Sequence, residues 1–366
     1  MKRSGMMNKI NLMAPLNPLG YGVAGVNISK SLSQILDVTL FPIGPTQLTS
    51  QEDASLLEGL ASKQQLFDGR APCLKVWHEY ALAERIGNGP FFSFPFFEIT
   101  KFCEVRINHL NSCDGIIASS KWASEVIKSQ VEESIPIATV PLGVDMKIFN
   151  DSHFVDSSRH GKCSFFNCGK WERRKGHDIL LEAFKIAFPV EDDVSLCMMT
   201  TNPFLSSKEA SEWEVYYQSD RRVELIERKD THLEVAKIMG TVTCGVFPSR
   251  AEGWNLELLE MMAIGKPVIA TNYSAHTEFC NSENSMLIEI ESFEKASDGK
   301  WFVGDVGEWA SLDQKVMDQL VMYMRQVYSV WKKEGTMKNE EGIRTAQEFS
   351  WGNTANLLKG AIYDVD

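Results

Sequence analysis

The segment from residue 243 to residue 271 constrains this chain more than any other. Thr243, Cys244, Gly245, Val246 and Phe247 form a mostly apolar run that stops at Pro248. A run without polar alternation reads as a strand buried on both faces of a parallel sheet. A turn over residues 249–253 follows. A helix is then expected over residues 255–264, with Leu256, Leu259, Met262 and Ala263 recurring at helical spacing. Gly265 ends that helix and Pro267 forbids its continuation. Val268, Ile269 and Ala270 make the next strand. A strand–loop–helix–strand unit belongs to an open α/β sheet, and such sheets bind ligands beyond the carboxyl ends of their strands.

Two carboxylates mark the unit. Glu252 lies in the turn and Glu260 about two helical turns along. A helix amino terminus presents N–H groups and partial positive charge, which suit a phosphate. Carboxylates do not bind phosphate, but they accept hydrogen bonds from hydroxyls. A nucleotide sugar has hydroxyls on both sides of its diphosphate, so the three features together suit it. Read alone, the pair also fits a plain cap and a solvated helix face.

Glu252 and Glu260 match the Glu-x7-Glu motif of retaining glycosyltransferases of family 4. The flanks Pro248-Ser249-Arg250, Glu252-Gly253, Leu259-Glu260 and Gly265-Lys266-Pro267 are similar to that family as well. Asn255 departs from it, because many members carry glycine there. The resemblance implies the GT-B fold: two Rossmann-like parallel-sheet domains facing a cleft, with a C-terminal helix returning to the first. It implies that Glu252 accepts from the donor sugar and Glu260 from the ribose. The turn and helix start at Gly253, Trp254, Asn255 and Leu256 would lie against the donor.

Composition sets outer limits. The chain has 366 residues, enough for two domains, with 44% hydrophobic and 23% charged residues. No apolar run reaches the roughly 20 residues of a membrane span. Residues 1–9 read as a ragged start before a first strand, not as a signal peptide. Eight cysteines show no zinc or disulfide spacing, which points to a reducing, cytoplasmic setting. The net charge is −12, and residues 1–150 carry 13 basic and 14 acidic residues. The acidity therefore lies in the second half. There is no basic footprint for nucleic acid, although a DNA-base acceptor is not excluded by this. No cofactor and no metal are expected.

Along the first domain, residues 9–14 read as a strand, residues 15–22 as a loop and residues 23–36 as a helix. Gly20, Gly22 and Gly25 spell the Gly-x-Gly-x-x-Gly dinucleotide fingerprint. Against it, Pro15 and Pro18 separate them from the strand, and the next strand, residues 38–42, ends without an acidic residue. The resemblance implies a glycine-rich loop here that closes over the diphosphate through Gly20 and Gly22; a turn needing positive φ is the plain alternative. Residues 74–78 read as a strand with His78 at its end. The family implies a histidine facing acceptor and sugar, against the default of a packed histidine. Further strands are expected over residues 91–97 and 115–119 and helices over 99–111 and 122–130, and residues 137–145 close the first domain.

Residues 150–162 read as a linker, dividing residues 1–155 (with 346–366) from residues 156–345. In the second domain a strand over residues 164–169 leads to Lys170, Arg173, Arg174 and Lys175, four cations before a helix over residues 177–187. Such a cluster makes a diphosphate clamp or a solvated basic loop. Lys175-Gly176 match the family, while Lys170 stands where arginine is usual, so Arg173 or Arg174 supplies the guanidinium. Strands over 194–199 and 223–226 follow, and then Glu227 and Arg228, where the family reads the nucleotide base. His276 and Glu278 are further candidates near the site. Helices close the chain over 312–334 and 340–366.

The reading is a metal-independent retaining glycosyltransferase. Arg174, Lys175, Glu252 and His78 would be its catalytic residues. The donor would be a nucleotide sugar, and the acceptor is a glycan, a lipid-linked sugar or a modified nucleobase. The rivals are a non-catalytic nucleotide-sugar-binding protein and an NAD(P)-dependent oxidoreductase.

Overall fold

The structure is a computed structural model and describes residues 8–364. The reading of residues 1–7 as a ragged start, and the last two residues of the expected C-terminal helix, lie outside those residues. The chain divides into two compact units, Met1–Gly143 with Phe349–Asp366, and Val144–Glu348.

The first unit is built on β1 (Lys9–Ala14), α1 (Gly20–Ser33), β2 (Asp37–Pro42), α2 (Gln51–Ala61), β3 (Cys73–Lys75), β4 (Phe91–Ser93), α3 (Glu104–Asn111), β5 (Gly115–Ala118), α4 (Lys121–Lys128) and β6 (Ile137–Thr139). Its six strands are all parallel, in the order β2-β1-β3-β4-β5-β6. The order reverses between β1 and β3, so this sheet's switch point lies there. The strands at residues 74–78 and 91–97 are shorter than expected. β3 ends at Lys75 and β4 at Ser93, although Phe94, Phe96 and Phe97 stay buried. Burial continues past the ladder, so an apolar run overstates strand length.

The second unit holds β7 (Cys163–Gly169), α5 (His177–Ala187), β8 (Val194–Thr200), α6 (Ser207–Tyr217), β9 (Val223–Leu225), α7 (His232–Thr241), β10 (Cys244–Phe247), α8 (Leu256–Ile264), β11 (Val268–Thr271), β12 (Met286–Ile288), β13 (Phe293–Ser297), β14 (Val303–Ala310), α9 (Gln314–Glu334) and α10 (Glu340–Glu348). Six parallel strands run in the order β12-β11-β10-β7-β8-β9. Counted from β7, this is the doubly wound order 3-2-1-4-5-6, whose switch point lies between β7 and β10. Phe165, Leu196 and Val246 of the sheet pack with Leu180 and Phe184 of α5 and Leu320 and Met324 of α9, all fully buried. β13 and β14 form an antiparallel hairpin that the sequence reading missed.

Residues 144–155 belong to the second unit, where Val155 N donates to Gly240 O and Lys266 Nζ to Val155 O. The stretch read as a linker contains two short helical turns, Asp151–His153 and Ser157–His160. The last helix, α11 (Trp351–Tyr363), returns to the first unit and packs on α1. Its start crosses Gly143 so closely that a Cβ there would lie 2.2 Å from Trp351 N.

Candidate functional site

The switch point of the second sheet fixes where to look: the loop after β7 and the loop after β10. These loops are joined backbone to backbone, with Arg250 N donating to Arg174 O at 2.7 Å. Gly176 allows the approach. It has φ +76°, and a Cβ on it would meet Pro248 O at 2.2 Å. Only glycine satisfies both conditions.

Arg174, Lys175 and Glu252 meet at this junction. Arg174 Nη1 donates to Glu252 Oε2 at 2.7 Å and Lys175 Nζ to Glu252 Oε1 at 3.0 Å. Ser249 Oγ adds a bond to Oε1 at 2.8 Å. Arg174 also donates to Ala251 O and, twice, to Glu172 Oε2, while Lys170 pairs with the other oxygen of Glu172. Arg174, Lys175, Glu172 and Glu252 are all buried. Burial opposes the charge of Glu252, but Arg174 and Lys175 more than offset it and hold the carboxyl well below its usual range. Burial likewise opposes the charge of Lys175, and Glu252, followed by Glu257, holds its ammonium above the ordinary lysine range. The group is therefore ionised throughout the physiological range.

Two buried neutral histidines fix the two loops. His177 Nδ1 accepts from Glu172 N at 3.1 Å, so Nε2–H donates to Asn167 Oδ1 at 2.9 Å. Asn167 Nδ2 in turn donates to Val246 O, joining β7 to β10. Burial, reinforced by Lys175, pushes His177 down to about 3. On the other side, Thr271 Oγ1 spends its proton on Ser249 O. His276 Nδ1–H therefore donates to Thr271 O, and Nε2 accepts from Asn255 Nδ2 at 2.9 Å. Burial lowers His276 to about 4.

Asn255 caps α8, its Oδ1 accepting from Leu258 N at 3.2 Å, and stands at φ +84°. That left-handed backbone accounts for glycine at this place in the resembling family. Asparagine is among the few other residues that tolerate it. Glu260, five residues further, has no hydrogen-bond partner among the described residues, and burial followed by Glu257 and Asp145 raises its pKa well above the usual range. Gly253 and Trp254 are buried in the turn and Leu256 is half-buried at the first position of α8. Gly265 ends α8 at φ +87°, with Lys266 N returning to Met261 O, as the sequence led us to expect.

The four cations separate. Arg174 and Lys175 turn inward. Arg173 turns toward the hairpin, bonding Ser297 O and Glu294, and Lys170 remains 38% exposed on Glu172. Arg228 is exposed beyond β9. Arg250 was missed as a functional candidate. Its guanidinium grips Asp178 through both oxygens, Arg173 O and Glu294, and so bolts the two loops to α5 and the hairpin. The available signal was an arginine directly after a buried strand.

In the first unit the segments that follow β1 and β3 carry Gly20, Gly22 and His78. Gly20 and Gly22 lie in the first turn of α1, not in a loop, and neither has positive φ. The plain alternative of a positive-φ turn is thus corrected, and five residues separate β1 from the first glycine. Gly22 is required by space instead: a Cβ would meet Asn17 O at 2.1 Å. His78 lies three residues beyond β3, not at its end. It packs on Tyr21 at 4.4 Å and stacks on Tyr80 at 4.9 Å. His276 is locked into the core, so it serves the turn and is not placed to face a ligand.

Residues 162–298 match the family described as Glycosyl transferases group 1. That match spans 137 of the 366 residues. The match covers both loops of the site, from Lys170 to Glu260. Among solved structures, the chain is similar to Anabaena Alr3699/HepE in complex with UDP-glucose, with TM-score 0.70 and 16% identity over 98% of this chain and 100% of the other. Sucrose-phosphate synthase from Thermosynechococcus elongatus matches with TM-score 0.70 and 16% identity over 98% of each chain. The α,α-trehalose 6-phosphate synthase from Burkholderia multivorans matches with TM-score 0.66 and 11% identity over 99% and 97%. These likenesses establish the GT-B fold. No curated protein matches the chain significantly. Among the described residues no helix is long and apolar enough to cross a membrane, and no His, Cys, Asp and Glu group is placed to hold a metal.

Proposed function

We propose that the chain is a retaining glycosyltransferase that moves a sugar from a nucleoside-diphosphate sugar to an acceptor hydroxyl. The second unit would hold the donor and the first would take the acceptor. The observation that carries this is the convergence of Lys175, Arg174 and Glu252 at the switch point between β7 and β10. The similar Anabaena Alr3699/HepE has been solved in complex with UDP-glucose and with UDP and glucose, which makes UDP-glucose the first donor to try.

In this reading the bond from the anomeric carbon to the diphosphate breaks while the acceptor oxygen attacks the same face. The leaving phosphate oxygen takes the acceptor's proton, and the nucleoside diphosphate departs. Negative charge grows on the leaving group, and fixed cations in a dry site oppose it most effectively. Lys175 suits this work. One of its three donors goes to Glu252, and the others have no partner among the described residues. Arg174 is spent largely on Glu172, Ala251 and Glu252, so it holds the loop and adds charge. Glu260, buried and with no hydrogen-bond partner among the described residues, gains one when a ribose hydroxyl arrives. Asn255, Trp254 and Gly253 shape the turn beneath the donor. Charge neutralisation falls to side chains, so transfer should persist in chelator.

The experiment pairs a thermal-shift screen of UDP- and GDP-sugars with turnover assays of the wild type and Lys175→Ala. Loss of one such donor lowers turnover roughly 10²–10³-fold, with an unchanged circular dichroism spectrum. Wild-type turnover of Lys175→Ala at saturating donor would remove the clamp from the mechanism.

A further inference from the structure

The second unit contains a cavity of about 470 Å³ that the donor reading does not use. Its walls are three separate pieces of chain. One is the β7–α5 loop with Trp171 and Arg173, another is α6 with Trp213 and Tyr216, and the third is the hairpin turn with Lys300 and Trp301. A cavity of this size lies within the range of small-molecule sites.

The hairpin wall is built to hold its shape. Asp298 Oδ1 accepts the backbone N–H groups of Lys300, Trp301 and Phe302 at 2.9 Å each. Lys300 Nζ then reaches across to both oxygens of Glu209 on α6, and to Phe204 O. The turn's backbone is thus held, and the Trp301 ring, 41% exposed, has Lys300 Nζ 5.0 Å from its centroid and Phe204 edge-on at 6.4 Å. Opposite it, Trp213 stacks on Trp171 with rings 5.6 Å apart and an interplanar angle of 3°. Aromatic faces held at the wall of a wet cavity are otherwise costly to leave uncovered.

The charges at the walls select the ligand. Five carboxylates and two cations line the cavity, which at first suggests a cationic ligand. The carboxylates are already answered, however, Glu212 by Lys208 at 3.9 Å on the exposed side of α6. Glu172 pairs with Arg174 and Lys170, Asp178 with Arg250, Glu209 with Lys300, and Asp298 with backbone N–H groups. The cations are answered too, Lys300 by Glu209 and Arg173 by Glu294. Little net field remains for an ion of either sign, yet carboxylate oxygens keep lone pairs that accept from hydroxyls. An aromatic face carries negative charge and attracts polarised C–H groups. A neutral ligand with a C–H face and a rim of hydroxyls satisfies both.

We infer that this cavity is a saccharide-binding site separate from the donor site, with Trp301 as its stacking platform and Glu212 of α6 as an exposed hydroxyl acceptor. The inference stands on the cavity alone and does not need the transfer reaction.

The test uses the intact protein with maltose, lactose and α-1,2-mannobiose. Tryptophan fluorescence titration and saturation-transfer NMR follow binding. Millimolar binding of at least one disaccharide is expected, with saturation strongest on its C–H face. Trp301→Ala should weaken it roughly tenfold, the worth of one aromatic contact, and Glu212→Gln should weaken it to a lesser degree. Both variants should keep the wild-type melting temperature and UDP affinity. Three results would each overturn the assignment: no disaccharide binding, binding indifferent to Trp301→Ala, or displacement by UDP, which would give the cavity to the donor. Binding of choline or spermidine in place of sugars would also overturn it.

Discussion

Glu252→Gln tests whether Glu252 is the counter-ion that keeps two cations in the site. The change keeps the volume and removes the charge. Arg174, Lys175 and Glu252 have side chains 6%, 8% and 5% exposed. The carboxylate accepts from Arg174 on one oxygen and from Lys175 and Ser249 on the other. A glutamine must turn its NH₂ toward one of these donors, leaving a donor facing a donor. Arg174 keeps Glu172, but Lys175 loses its only hydrogen-bonded carboxylate among the described residues. Removing one partner of a buried ion pair costs about 3–5 kcal/mol. For a unit of about 200 residues, that lowers the melting temperature by roughly 6–20 °C. Thermal unfolding at pH 7 reads this directly. Lys175→Met in the same background should restore part of the loss, with a coupling of about 1–3 kcal/mol. The pH dependence has a definite sign. The folded pKa of Glu252 lies below its unfolded value, so its contribution is full above about pH 4.3 and is lost as pH falls toward the folded value. Wild type and variant should therefore converge in acid. A melting temperature within about 2 °C of wild type, a shift too small for a lost buried pair, would refute the counter-ion role and leave Glu252 as a substrate contact alone.

Asn255→Ala should destabilise the chain by about 2 kcal/mol through the lost cap and the strained left-handed backbone, whereas Asn255→Gly should cost clearly less; chemical denaturation separates the two. Gly22→Ala should lose about 1–3 kcal/mol by overpacking against Asn17 O, while Gly20→Ala, with open space around it, should lose nothing in the same assay. Burial holds the Lys266 ammonium down to about 7, so the unfolded chain binds the extra proton between about pH 7 and 10.4. Wild-type stability should rise with pH across that window, and Lys266→Met should flatten the slope.

Much of this was legible in the residues. The run ending at Pro248, the helix closed by Gly265 and the strand at Val268 reappear as β10, α8 and β11 within a residue or two, because periodicity, caps and breakers act locally. The Glu252–Glu260 spacing and the cations before α5 marked the two loops that later meet. What those residues bind could not be read along the chain. Arg174 and Arg173 are neighbours in sequence, yet one turns inward to Glu252 and the other outward to Glu294. Gly22 looks like a turn glycine but is required because α1 passes against Asn17. Asp178, Arg250, Glu294 and the hairpin meet through contacts between residues far apart in sequence. Local backbone preferences fix elements and their ends. The partner of a buried charge depends on which strands lie side by side, and here the placing of β7 beside β10 decided it.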